Sequence, residues 1–94
     1  MNHEKELEAI DATLAHDDQA LDRLVTDPDE NVRVFVAMQG RDEDLDKLVG
    51  DPSPFVRMAV AHYGRPEDRQ KLASDPSPLV RAQAVRAQAK RQGH

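Results

Sequence analysis

The chain has 94 residues with 18 acidic and 13 basic side chains, a net charge of −5 and no cysteine, which excludes a disulfide framework, iron–sulfur ligation and thiol catalysis. A chain of this size forms one domain and removes only about 60–65% of its unfolded surface from water, so a deep enclosed active-site cavity is not expected. Residues 1–50 carry 14 acidic against 5 basic side chains and residues 51–94 carry 4 against 8, or −9 against +4; this dipole makes nucleic acid an unlikely partner, because duplex binding needs a broad basic face, and favours head-to-tail contacts or an oppositely polarised partner.

From Met1 to Glu8 no apolar run follows a basic start, so neither a signal peptide nor a membrane span is expected and the chain reads as soluble and cytoplasmic. Between His3 and His16 the residues Leu7, Ile10 and Leu14 recur at helical spacing among acids, which predicts an amphipathic helix. Its acids crowd the first turns, where the helix dipole favours them. Asp17 or Asp18 then caps a short helix carrying Leu21, Leu24 and Val25, and the pattern returns 24 residues later as Leu45, Leu48 and Val49. Arg69, Leu72 and Ala73 form a weaker third copy.

Each short helix runs into a phrase that occurs three times: Asp27-Pro28-Asp29-Glu30-Asn31-Val32-Arg33, Asp51-Pro52-Ser53-Pro54-Phe55-Val56-Arg57 and Asp75-Pro76-Ser77-Pro78-Leu79-Val80-Arg81. The constant interval of 24 residues is the mark of stacked structural repeats. Proline ends the short helix and forces the residue before it to be extended. A longer helix starts at once, capped by Asp29, Ser53 or Ser77, with Pro54 and Pro78 at the first helical position. Gly40 and Gly64 mark where it stops, and Gln88 in the same column lets the last helix continue to about Gln92.

The predicted fold is an all-α superhelix, or solenoid, of about three 24-residue units (27–50, 51–74 and 75–94) behind a degenerate capping unit over 1–26. Its short helices have room for 3₁₀ turns. Strands are excluded because Asp-Pro-Ser-Pro cannot sit inside one and the apolar residues do not alternate.

At about 100° of rotation per residue, Val32, Arg33, Val36 and Ala37 share one face, matched by Val56, Arg57, Val60, Ala61 and by Val80, Arg81, Ala84, Val85. An arginine in the middle of a packing stripe needs a partner, since an unpaired buried charge costs several kcal/mol. The expected partners are Asp27, Asp51 and Asp75, six residues before each arginine, from the same unit or the neighbouring one; these sets are read as structural ion pairs. The opposite face varies between units and carries Val34, Phe35, Met38, Phe55, Met58, His62 and Arg86. Adaptable apolar surface with methionine suits a binding face, to be covered by the first helix, a second copy of the protein or a heterologous partner.

Chemical motifs are missing. Asp42, Asp44 and Asp46 imitate the start of a calcium loop, but Lys47 and Ser53 stand where its glycine and bidentate glutamate belong, so these acids read as the first turn of a short helix. His3, His16, His62 and His94 make no ligand spacing, and no phosphate loop or nucleophile elbow occurs. No catalytic, cofactor or metal site is expected.

The phrase Asp-Pro-x-x-x-Val-Arg-x-x-Val-Ala, followed by a short Leu-x-x-Leu-Val or Leu-Ala helix and the next Asp-Pro, resembles the leucine-rich-repeat variant family, a distant relative of HEAT-type repeats; residues 27–37, 48–61 and 72–81 carry the match. The resemblance implies a right-handed superhelix of alternating α and 3₁₀ helices and aspartate–arginine pairing of the HEAT kind. The cysteine-rich iron–sulfur segment of some members has no counterpart, and Gln39-Gly40 and Tyr63-Gly64 replace the usual asparagine-proline turn. The function expected from these features is a small helical-repeat interaction module, not an enzyme, that binds a protein or peptide through the variable face. The rival expectation is nucleic-acid binding through the basic C-terminal helix with Arg81, Arg86, Lys90 and Arg91.

Overall fold

The structure, a computed structural model, describes residues 17–92. The helix expected between His3 and His16 lies outside the described residues. Within them the chain is all-α, with six helices and no strand: α1 (Asp18–Leu24), α2 (Glu30–Gln39), α3 (Asp42–Leu48), α4 (Pro54–Tyr63), α5 (Pro66–Leu72) and α6 (Pro78–Gln92). Short and long helices alternate. The long helix α4 packs between α2 and α6, α3 touches both α2 and α4, α5 touches both α4 and α6, and α1 lies on α2.

Local chemistry sets the helix starts. The Asp17 carboxylate accepts from the backbone N–H of Gln19 and Ala20 at 3.0 and 3.2 Å, Asp29 accepts from Asn31 at 2.9 Å, and the Ser53 hydroxyl accepts from Phe55 at 3.2 Å with Pro54 following it. Each cap satisfies N–H groups that have no partner inside the helix.

The helix ends depart from expectation in two ways. The short helices α1, α3 and α5 are regular seven-residue α-helices and not 3₁₀ segments. Their exits tighten, where the N–H groups of Asp27, Asp51 and Asp75 bond the carbonyls of Leu24, Leu48 and Leu72 at 3.0–3.1 Å, three residues back. The two glycines also stop their helices for different reasons. Gly40 has φ +74°, the left-handed conformation that disfavours a side chain. Gly64 has an ordinary φ of −87°; it is required because a Cβ there would overlap the Val60 carbonyl oxygen and lie 2.8 Å from Asp68 Oδ2.

The core follows the predicted stripe except at Val85, which was placed on it and is exposed. Val32, Val36, Ala37, Val56, Val60, Ala61, Val80 and Ala84 are buried, and Leu21, Leu24, Leu45, Leu48 and Leu72 from the short helices join them in one cluster. Burying a side chain of this size stabilises by about 1.5–3 kcal/mol. Arg69 occupies the column held by Leu21 and Leu45, yet it is also buried, donating from Nη1 to the Gly64 carbonyl at 2.8 Å.

Candidate interaction surface

The three Asp-Pro turns are the joints that position the long helices. In each, the aspartate carboxylate bridges across the proline to the next N–H: Asp27 accepts from Asp29 at 2.9 Å, Asp51 from Ser53 at 2.9 Å and Asp75 from Ser77 at 2.8 Å. Such side-chain turns substitute for a backbone turn where proline has removed a donor.

Arg33 and Arg57 each clamp two of these joints, whereas Arg81, expected to pair with an aspartate, bonds only the Asp75 and Pro76 carbonyls among the described residues. Arg33 donates from Nη1 to the Asp27 carbonyl at 2.7 Å, and from Nε and Nη2 to the two carboxylate oxygens of Asp51 at 2.7 and 3.1 Å. Arg57 repeats this one period later, reaching the Asp51 carbonyl at 2.6 Å and the Asp75 carboxylate at 2.8 and 3.2 Å. The aspartate six residues earlier thus supplies a backbone oxygen and the one 18 residues later supplies the charge. The two carboxylates are 5% exposed and the two arginine side chains 14–15%. The hydrogen bonds to Asp51 raise the Arg33 pKa further, against the opposing effect of burial. Burial pushes the Asp75 carboxyl up, but the Arg57 hydrogen bonds, the Ser77 N–H and the charges of Arg57 and Arg81 outweigh it and hold its pKa below the usual carboxylate range.

A second row, absent from the sequence reading, runs along the short helices. Arg41 bonds the buried Asp44 at 2.7 Å and crosses to Asp22 at 2.7 Å, with Asp18 at 3.4 Å. Arg65 bonds the buried Asp68 at 3.0 Å and crosses to Asp46 at 2.6 Å, with Asp42 at 3.6 Å. Asp42, Asp44 and Asp46 therefore do more than favour a helix start: Asp44 serves its own helix, and the other two reach toward the next one. The legible signal was Gly40-Arg41-x-Glu43-Asp44 recurring as Gly64-Arg65-x-Glu67-Asp68. Hydrogen bonds donated to Asp68 and Asp46 raise the Arg65 pKa. Burial pushes the Asp68 carboxyl up, while the Arg65 side-chain and backbone hydrogen bonds bring it below its ordinary value.

The residues of the expected binding face divide into two sets. Val34, Phe35 and Met58 are half-buried and packed on the core, whereas Met38, Phe55, His62 and Arg86 are exposed. His62 Nδ1 lies 3.0 Å from Gln83 Nε2 and its ring meets the Tyr63 ring edge-on at 4.5 Å. Phe55 and Leu79, one period apart at the first turns of α4 and α6, are 58% and 61% exposed. Tyr63 and Val85 are also exposed and were not foreseen as surface apolar residues.

Among the described residues no group of three His, Cys, Asp or Glu is placed to hold a metal ion, and no helix is long and apolar enough to cross a membrane. No family model matches the chain, and comparison with curated proteins and with solved structures returns no match.

Proposed function

We propose that the chain is a small α-solenoid of three 24-residue units, of the kind the leucine-rich-repeat variant resemblance implies, and that it binds a protein or peptide through the variable face of its long helices. The recurrence of one clamp at Arg33 and Arg57, of one side-chain turn at Asp27, Asp51 and Asp75, and of one bridging arginine at Arg41 and Arg65 supports the repeated unit. Stacked units of this type leave one layer of helices free to contact a ligand.

The observation that carries the binding reading is the exposed pair Phe55 and Leu79, with Met38 and Tyr63 on the same long helices or their neighbours. Large apolar side chains held in register on rigid helices lose little entropy on binding and supply the anchors of an interface. The test is selection of peptides from a displayed library on the 94-residue chain. Selected peptides should carry apolar anchors and should lose at least tenfold in affinity for the Phe55→Asp, Leu79→Asp double variant, whose far-UV circular dichroism should match the parent. Peptides that bind the double variant as tightly as the parent would remove this reading.

A further inference from the structure

The face of α6 that carries Arg81 and Val85 differs from the corresponding faces of α2 and α4 in one respect: nothing among the described residues completes it. Arg33 and Arg57 each hold a carbonyl through Nη1 and a carboxylate through Nε and Nη2. Arg81 keeps the first half of this arrangement, donating from Nη1 to the Asp75 carbonyl at 2.8 Å and to the Pro76 carbonyl at 3.2 Å. Among the described residues no carboxylate meets its Nε and Nη2, and the residue is exposed. Its guanidinium is therefore anchored at one edge with the other edge turned to solvent.

The apolar part of the face agrees. Ala37 and Ala61, which stand 48 and 24 residues before Val85, are 0% exposed, while Val85 is 55% exposed. α2 and α4 each contact the short helix that follows, α3 or α5, and the aspartate after that helix delivers its carboxylate to the arginine. The residues of α6 include Arg81, Arg86, Lys90 and Arg91 and no acid, whereas the segment that follows α2 carries Asp42, Glu43, Asp44, Asp46 and Asp51, of which Asp51 bonds Arg33 of α2.

We propose that the Arg81–Val85 face of α6 is a docking site for an acidic segment of a partner polypeptide, a short amphipathic helix followed by an aspartate turn, whose carboxylate completes Arg81 as Asp51 completes Arg33 and Asp75 completes Arg57. A guanidinium already oriented by two carbonyl oxygens gives a bidentate carboxylate a fixed geometry to meet. The neighbouring basic charge speeds and selects the encounter. This surface is separate from the Phe55 and Leu79 face, so the failure of either leaves the other standing.

The test uses the 94-residue chain labelled with ¹⁵N and a synthetic peptide with the sequence of residues 42–55, the segment that contacts α2 through α3 and supplies Asp51 to Arg33. At low ionic strength the peptide should shift the Arg81 Nε–H and the backbone N–H of Ala82 and Val85 in a saturable way, and added salt should weaken it. Replacing the peptide's Asp51 by Asn, or Arg81 of the protein by Gln, should each weaken binding at least tenfold, because a charge-assisted bidentate pair is lost. Arg81→Lys should recover only part of the affinity, since an ammonium cannot form the parallel pair. The proposal is overturned if the peptide shifts nothing on α6, if the Asn peptide binds equally well, or if sedimentation shows the chain alone to be a dimer that Arg81→Gln dissociates, which would make a second copy the occupant.

Discussion

The row formed by Arg33 and Arg57 and the row formed by Arg41 and Arg65 use the same guanidinium–carboxylate chemistry at the same 24-residue interval, but they close on different surroundings. Each arginine of the first row holds one carbonyl and one carboxylate that is 5% exposed. Each arginine of the second holds one buried acid, Asp44 or Asp68, and then fans out to acids such as Asp22 and Asp46 that are about two-thirds exposed. Exposed pairs contribute about 0–1 kcal/mol, while removing one partner of a buried pair strands the other and costs about 3–5 kcal/mol. The first row therefore fixes how the Asp-Pro turns sit against one another, while in the second row only the inner pairs to Asp44 and Asp68 carry comparable weight and the outer acids add little.

The sharpest way to break this comparison is at Asp51, which serves Arg33 by its side chain, Arg57 by its carbonyl and Ser53 by its turn. Asp51→Ala should lower the unfolding free energy by about 3 kcal/mol in urea titrations at neutral pH. A loss below about 1 kcal/mol would place the first row among ordinary surface pairs. Next comes Gly64→Ala, which drives a methyl group into the Val60 carbonyl and the Asp68 carboxylate that holds Arg65. It should cost about 2–3 kcal/mol. Gly40→Ala, where only the left-handed backbone objects, should cost about 1 kcal/mol; equal losses at the two sites would contradict the distinct reasons given for them.

Acid titration addresses both rows at once. The folded-state pKa values of Asp68 and Asp75 lie below their unfolded values, so their stabilisation is complete above the unfolded carboxyl pKa of about 3.9 and disappears as pH falls through the lower folded values. The melting temperature attributable to these two groups should be flat above about pH 5 and drop below about pH 4. Asp75→Asn should lower the plateau and flatten the drop. The smallest effect is expected at Asp22→Asn, which removes an exposed partner of Arg41: within about 0.5 kcal/mol, and less in high salt. A salt-insensitive loss above about 1 kcal/mol there would erase the distinction between the rows.

Much of the architecture was legible because it is written in short-range chemistry. The helix starts at Asp17, Asp29 and Ser53 follow from side chains that cap N–H groups two or three residues on, and the stripe of Val32, Val36 and Ala37 follows from helical periodicity. The binding face was legible only in outline. Phe35 and Phe55 fall on the same predicted face, yet the first is half-buried on the core and the second is 58% exposed. A helical wheel gives the direction of a side chain and says nothing about which neighbour stands there.

The buried Arg69 shows the same limit from the other side. Its column is leucine in the two earlier copies, so the substitution reads as a lapse in the apolar pattern, although the side chain is enclosed and bonded to the Gly64 carbonyl. The 24-residue period, the helix caps and the helical breaks at proline were determined by the sequence itself, since each depends on atoms within a few residues of one another. Which carboxylate Arg33 and Arg57 take, 18 residues ahead and not six behind, and which glycine stands where a methyl group has no room, were decided only when the helices packed, because those distances exist between elements and not along the chain.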